Sequence, residues 1–331
     1  MIIEPEKKKN KGLELFLIAF FISSFFSVAI NGFGKNIEDY FFFREIVKNP
    51  NLFRAQVNFE IPKKEEVEKE VEVEPEKKSL EISAKSAISV LYNLDSKEEK
   101  IIFEKERNLV LPIASLTKLM VADVALENYD LNQIIKISNE AVSQKEDTGS
   151  LRVGEELSVE NLLYIMLIES SNDAAYALTE LITPKDFVDL MNLEAKYIGM
   201  ANTHFEDSMG ISEKNQSNTE DLVILIKHLL KEPLVWDILR KPEFDLKLSD
   251  GVFHHKLINT NEILRKWGSN LEIVGGKTGY TLKANGCFVL VLKVVDNGYL
   301  INIILGSDDR FGEMKQLVDW LTINNKLQTT N

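Results

Sequence analysis

The chain has a single cysteine, Cys287, so no intrachain disulfide can form and packing alone must hold the fold. Positive charge is in short supply: 39 Lys and Arg stand against 52 Asp and Glu, a formal net charge of −13. A phosphate backbone calls for a basic surface, so nucleic acid is excluded as a partner. Much of the excess acid lies in one local run and says little about any binding cleft. Histidine is scarce as well. The four residues, His204, His228, His254 and His255, have no cysteine or carboxylate partner at metal-ligand spacing. The adjacent pair His254-His255 is expected to point to opposite faces of a strand. Neither a metal nor a cofactor is expected. There is no internal repeat. What remains is an ordinary globular mixture, 44% hydrophobic and 27% charged, in 331 residues, enough for a sizeable core.

The N-terminus reads Lys7-Lys8-Lys9-Asn10-Lys11, followed by an uncharged run from Leu15 to Gly34. The basic flank should stay in the cytoplasm while the apolar run enters the membrane. The run is about long enough to span a bilayer as an anchor. Ser27-Val28-Ala29 also fits a signal-peptidase cleavage site. The anchor is the favoured reading, because the stretch downstream has the composition of a tether. Residues 62–78, PKKEEVEKEVEVEPEKK, are dense in Glu and Lys. Such a segment buries too little apolar surface to offset its ordering entropy and reads as a charged, extended linker. Residues 1–34 are thus expected to be a membrane anchor or signal segment, 35–82 a linker, and 83–331 an extracytoplasmic globular domain.

Within that domain Ser86–Asn93 and 100–104 read as two strands of a hairpin across Asp95, Ser96 and Lys97. From Ala114 to about Leu230 the pattern is helical, with expected helices at 116–127, Val159–Ile168, 173–182, Pro184–Ile198 and 219–230, the last capped by Thr219. Strands return at 288–295 and 299–305 around Asp296-Asn297-Gly298, a strong hairpin signal. A helix at 311–321 closes the chain. Strands at both ends and helices between them predict an α+β fold: one antiparallel sheet with a helical subdomain inserted between its second and third strands. A cleft between the two layers is a natural ligand site.

Three short elements carry chemistry: Ser115-Leu116-Thr117-Lys118, Ser170-Ser171-Asn172 and Lys277-Thr278-Gly279. Any one of them is common by chance, but here they occur together and each is unique in the chain. Ser115 stands where a helical run begins, and free N–H groups at a helix N-terminus favour an oxyanion. A spacing of three puts Lys118 one turn on, on the same face, within reach of the Ser115 hydroxyl. A serine hydroxyl needs a neighbouring base to become a nucleophile, and a lysine serves only if burial or a second cation lowers its pKa. The apolar run around Lys118 implies burial, and Lys277 would be the second cation. Ser170 can relay a proton and Asn172 can hold a substrate amide. Gly275-Gly276-Lys277-Thr278-Gly279-Tyr280-Thr281 reads as a strand whose glycines admit a substrate backbone, with Lys277 and Thr278 meeting a carboxylate.

This set resembles the signature of penicillin-binding proteins and class A β-lactamases. It is most similar to the D-alanyl-D-alanine carboxypeptidases, the low-molecular-mass penicillin-binding proteins of serine peptidase family S11. The likeness runs from about Ser86 onward. It takes in Leu151-Arg152-Val153-Gly154, Ser170-Ser171-Asn172-Asp173-Ala174-Ala175, Met191-Asn192, Gly199-Met200, Thr203-x-Phe205 with Gly210, Asn259-Thr260-Asn261 and Gly276-Lys277-Thr278-Gly279-Tyr280-Thr281. The resemblance implies a β-lactamase/transpeptidase-like fold and a serine-type hydrolase. Its substrates would be peptidoglycan peptides ending in D-Ala-D-Ala, and β-lactams would be covalent inhibitors. It also implies an acylated Ser115, Lys118 as general base, and Ser170, Asn172 and Lys277 completing the proton network. Thr278, Gly279, Tyr280 and Thr281 would line the substrate, and the N–H groups of Ser115 and Tyr280 would form the oxyanion hole.

Two departures stand out. Many relatives have Arg between the asparagines of Asn-x-Asn, where this chain has Thr260. The usual Ala-Gly-x-Cys becomes Ala284-Asn285-Gly286-Cys287, and Cys287 reads as a buried strand residue rather than a nucleophile. The β-rich C-terminal domain and amphipathic anchor of many carboxypeptidases have no counterpart here, so the N-terminal anchor is expected to take their role. A D,D-endopeptidase of the same fold is the main alternative. A β-lactamase is disfavoured because no Glu-x-x-Leu-Asn element is found between the second and third motifs. A non-catalytic wall-binding module is disfavoured because it would not need Ser115, Lys118 and Lys277 together.

Overall fold

A computed structural model describes residues 80–145, 150–248, 251–267, 271–294 and 298–324, all within one compact unit, Glu74–Asn331. The expected anchor or signal segment and the charged run at 62–78 lie outside the described residues. No helix among the described residues is long and apolar enough to cross a membrane.

The main sheet has five strands: β1 (Ser86–Asn93), β2 (Glu99–Lys105), β9 (Glu272–Thr281), β10 (Asn285–Lys293) and β11 (Gly298–Ser307). They lie in the order β2-β1-β11-β10-β9, and every neighbouring pair is antiparallel. The expected layout therefore holds, with strands at the two ends of the chain closing one sheet around a helical insertion. Val289 and Val291 of β10 face the helical subdomain, while Phe288, Leu290 and Leu292 face the closing helix. With both faces covered, the strand is apolar almost throughout and shows no alternation.

The insertion holds β3 (Leu111–Pro112), a 3-10 turn (Ala114–Leu116), α1 (Thr117–Asn128), β4 (Ile134–Lys136), a second 3-10 turn (Ala141–Ser143), β5 (Glu156–Ser158), α2 (Val159–Ile168), α3 (Asn172–Thr179), α4 (Pro184–Ile198), β6 (Gln216–Ser217), α5 (Thr219–Leu229), α6 (Pro233–Leu239), β7 (Glu243–Lys247), β8 (Phe253–Ile258) and α7 (Ile263–Lys266). After the sheet, α8 (Arg310–Ile323) packs Met314, Leu317, Val318 and Leu321 against its outer face. Helix starts are set by side-chain caps: Ser158 for α2, Ser171 for α3, Thr183 with Pro184 for α4, and Asp309 for α8.

Several expectations need correction. The cap of α5 is Asn218, whose side chain accepts from the Asp221 N–H, while Thr219 donates to the Arg107 carbonyl. Helix α3 stops at Thr179 rather than 182, because Thr183 must be extended to precede Pro184. A strand is expected at His254-His255, but not its pairing with Glu243–Lys247 as a β7–β8 hairpin, and α6 is not expected. Of the hairpin signal Asp296-Asn297-Gly298, only Gly298 lies within the described residues, and it opens β11.

Helix α1 matters most for the site. It is buried on every side from Thr117 to Ala125, as befits a helix apolar nearly all round. Two charged residues, Lys118 and Asp123, go into the interior with it.

Candidate active site

Ser115 sits in the 3-10 turn that leads into α1, the turn being entered through Ala114 at φ 48°. That left-handed conformation is unfavourable for alanine and marks a backbone held by its surroundings. One turn on, the fully buried Lys118 donates from Nζ to Ser115 Oγ at 3.0 Å, to Asn172 Oδ1 at 2.7 Å and to the Met209 carbonyl at 2.6 Å. Three oxygen acceptors thus fix the amine on the nucleophile side.

The second element comes from the α2–α3 junction. Ser170 has φ 65°, another left-handed non-glycine. Its hydroxyl accepts from Lys277 Nζ at 2.8 Å. Ser171 points into the helix and caps α3, accepting from the Ala174 N–H. Asn172 bridges two segments: its Oδ1 accepts from Lys118, and its Nδ2 donates to the Lys145 carbonyl at 2.8 Å. Asn172 thereby orients Lys118, a job more specific than the amide-holding one expected from sequence.

The third element is β9, the edge strand of the sheet. Lys277 is 1% exposed and also donates to the Thr278 carbonyl at 3.0 Å. Burial, then the neighbouring charges of Lys118 and Arg310, hold its pKa well below the ordinary lysine value. The two lysines are each bonded to one cleft serine, Lys118 to Ser115 and Lys277 to Ser170. Gly279 allows β9 to pass the nucleophile closely: a Cβ there would lie 3.1 Å from the Ser115 nitrogen.

One cleft is lined by Ser115, Ser170, Asn172, Thr278, Gly279, Tyr280 and Thr281. All the expected residues border it except Lys118 and Lys277, which support it from beneath. Thr260 lines it too and shares a 2.7 Å hydrogen bond with the Thr278 hydroxyl. Three contributors were not foreseen. Arg310, at the start of α8, lines the cleft and donates to the Gly279 carbonyl at 3.1 Å, while its Nε is buried without a partner. Glu169 lines the cleft beside Ser170 and accepts from or shares a proton with His255 Nε2 at 3.1 Å. Asp207 builds the loop that positions the Met209 carbonyl, its carboxylate accepting from the N–H groups of Met209, Gly210 and Ser212 at 2.8, 2.6 and 2.7 Å.

His254 and His255 do not point to opposite faces. Their Nδ1 atoms meet, and their Nε2 atoms reach Glu155 and Glu169. The cause is a β-bulge: Leu246 pairs with His255 and Lys247 with Phe253, so His254 is the extra residue and the alternation fails. Cys287 is fully buried, as read from sequence, and burial pushes its thiol pKa up to about 11. The displaced glycine of that segment leaves Asn285 at φ 58°, a conformation asparagine tolerates.

A family model described as D-alanyl-D-alanine carboxypeptidase (peptidase S11) matches residues 70–309. The chain is 29% identical over 259 residues to a D-alanyl-D-alanine endopeptidase of Pseudomonas aeruginosa, covering 77% of this chain and 82% of that one. It is also 29% identical to the D-alanyl-D-alanine carboxypeptidase DacF of Bacillus subtilis, covering 74% and 64%. Among solved structures, a D-alanyl-D-alanine carboxypeptidase from Mycobacterium tuberculosis superposes with a TM-score of 0.65 at 24% identity, covering 76% of this chain and 95% of that one. The Streptomyces K15 DD-transpeptidase gives 0.65 at 24%, covering 72% and 97%. At these identities the structural matches speak for the fold alone.

Proposed function

This chain belongs to the peptidase S11 family of D-alanyl-D-alanine carboxypeptidases, and from that premise we propose that it removes the terminal D-alanine from peptidoglycan stem peptides through an acyl-enzyme at Ser115. The observation that carries this reading is the pairing of each cleft serine with its own buried lysine, Ser115 with Lys118 and Ser170 with Lys277. Lys118 takes the Ser115 proton as Oγ attacks the penultimate D-alanyl carbonyl. The N–H groups of Ser115 and Tyr280 receive the oxyanion. As the tetrahedral species collapses, Ser170 passes a proton to the departing amine, with Lys277 behind it. Water then hydrolyses the ester by the reverse relay. A β-lactam enters the same cleft and leaves Ser115 acylated.

Arg310 supports a way of holding a carboxylate with Thr260 in place of arginine. Arg310 lines the same cleft as Thr278 and Thr281, and the Thr260–Thr278 hydrogen bond fixes the rotor of a hydroxyl that would face the substrate carboxylate. A fixed guanidinium and an oriented hydroxyl form a carboxylate site.

The endopeptidase reading keeps a specific support, since the Pseudomonas aeruginosa relative bears that name. Incubation with a pentapeptide muropeptide and with a cross-linked dimer separates the two. Free D-alanine released faster from the first supports the carboxypeptidase, and faster conversion of dimer to monomers overturns it. Such substrates place the domain outside the cytoplasmic membrane, and the basic, then apolar N-terminus supports tethering there. Protease added to intact spheroplasts should release a soluble catalytic fragment. Release only after lysis would refute the topology.

A further inference from the structure

Lys118 is accounted for by the cleft, but the second charge buried with α1 is not. Asp123 is 1% exposed. Five residues beyond Lys118 it lies roughly 7.5 Å further along the helix and about 140° around it, turned away from the cleft. There it meets Glu194 of α4 and His228 of α5, and one ligand atom from each of the three lies within 4.8 Å of the other two.

Hydrogen bonding does not account for this cluster. His228 Nε2 is 3.3 Å from Asp123 Oδ1. Asp123 Oδ2 and Glu194 Oε1 are both buried with no hydrogen-bond partner. Ionised carboxylate oxygens only accept, so these two cannot satisfy each other. Glu127 and Glu232 add negative charge nearby. Among the described residues, His228 is the only base within ion-pair reach of Asp123.

We propose that Asp123, Glu194 and His228 bind a divalent first-row metal ion, Zn²⁺ being the best match, and that the ion ties the nucleophile-bearing helix α1 to α4 and α5. One imidazole nitrogen and two carboxylate oxygens suit zinc, which takes such ligands at about 2.0–2.2 Å. Ligand atoms around a tetrahedral ion lie roughly 3.4 Å apart, so no pair here has to close by more than about 1.4 Å. That is a rotamer adjustment, favoured once a cation replaces the repulsion between acids. Calcium and magnesium prefer all-oxygen shells, and the imidazole of His228 favours zinc over both. Glu127, one turn after Asp123 on the same face and with its side chain 47% exposed, can provide a fourth ligand; the half-open rim at His228 and Glu127 gives the ion its way in. The ion lies on the far side of α1 from Ser115, so its role is structural.

The test uses the full chain, stripped with a chelator and dialysed at pH 8. Titration calorimetry with Zn²⁺ and elemental analysis should find one ion per chain. At about a hundred times Kd, the melting temperature should rise by about 5–10 °C. Co²⁺ in its place should show the visible bands of a four-coordinate ion. Asp123→Asn should fold, because the new amide can donate to Glu194. It should melt above the metal-free parent and lose the zinc response. Glu194→Gln should weaken binding at least tenfold, and it tests the site independently if the first variant is unsound. An equal zinc-induced rise in Asp123→Asn would overturn the proposal, as would a parent that binds no Zn²⁺ at about 100 µM, leaving the cluster to hold a proton alone.

Discussion

Gly210→Ala should cripple acylation without touching any group that reacts. Gly210 has φ 86°, and a Cβ built on it would stand 2.1 Å from the Ala114 carbonyl oxygen, 2.4 Å from its carbon and 2.9 Å from the Ser115 nitrogen. A comfortable carbon–oxygen contact is about 3.3 Å or more, so one backbone must retreat by about 1 Å. None of the three atoms ends a flexible side chain. On one side Asp207 clamps the loop, and on the other Ala114 is already in a left-handed conformation. The positive φ costs alanine roughly 1–2 kcal/mol and the overpacking roughly 1–3 kcal/mol. The melting temperature should therefore fall by about 5–15 °C. The turn that yields carries Ser115, so the 3.0 Å contact with Lys118 should be lost. Misplacement on that scale costs about 10²-fold in rate. The assay is stopped-flow acylation by a fluorescent penicillin well below the melting point, with circular dichroism to confirm the fold. Gly199→Ala is the control, since Gly199 also has positive φ, 96°, but an added Cβ meets nothing within 4 Å. It should lose a little stability and no rate. A Gly210→Ala protein that acylates within about threefold of the parent, or a Gly199→Ala protein equally impaired, would refute the reasoning.

Four further outcomes are expected. Ser115→Ala should show no penicillin adduct by intact-protein mass spectrometry, while Ser170→Ala should still label, about 10²-fold more slowly; a full adduct on Ser115→Ala would sink the assignment. Ser171→Ala should cost about 1 kcal/mol in denaturant unfolding through the lost α3 cap and leave the acylation rate unchanged. Lys277 has a pKa well below 10.5, so between that lowered value and 10.5 the folded state binds fewer protons than the unfolded chain, and stability should rise with pH across the window. Lys277→Met should flatten that rise in thermal melts, and an unchanged slope would show that the Lys277 pKa is not lowered on folding. Arg310→Leu should raise KM for a peptide with a free terminal carboxylate by about tenfold or more while its effect on a C-terminally amidated peptide stays small; equal effects on both would remove Arg310 from carboxylate recognition.

The main sheet and the long helices were legible because their signals are local. Val159–Ile168 and Pro184–Ile198 begin at a Ser or Thr cap and match their expected bounds. The β7–β8 hairpin was harder to read: Phe244 and Leu246 alternate with Glu243, Asp245 and Lys247, but over five residues only, and in β8 the bulge at His254 breaks the period. The bulge at His254 was equally hidden, since it depends on the register of a partner strand. At the cleft, Ser115, Lys118, Ser170, Asn172 and Lys277 could be found because the chemistry restricts residue type and spacing within each short element. Arg310 could not, because it reaches the cleft across the fold and has no fixed neighbour in sequence; Asp207 acts within its own loop on Met209, Gly210 and Ser212, where an acidic residue before a glycine turn is too common a signal to single out.

Helix α1 shows why the remaining gap is physical. Its residues Thr117 to Ala125 are all buried, so amphipathic reasoning has no polar face to find and gives no orientation. Two charges in such a helix are each unfavourable unless something compensates them. For Lys118 one acceptor, Ser115, is near in sequence and the spacing alone suggests it, while Asn172 and the Met209 carbonyl come from elsewhere in the fold. For Asp123 the group within ion-pair reach is His228, on a helix that only folding brings near, while Glu194 adds a like charge that a cation would have to offset. Both charges break the apolar rule of the helix, and rule-breaking positions of this kind are where function concentrates. A buried charge read from sequence thus says that a partner must exist. Which partner it is becomes readable only when the partner lies within a turn of the same helix, as it does for Lys118 and does not for Asp123.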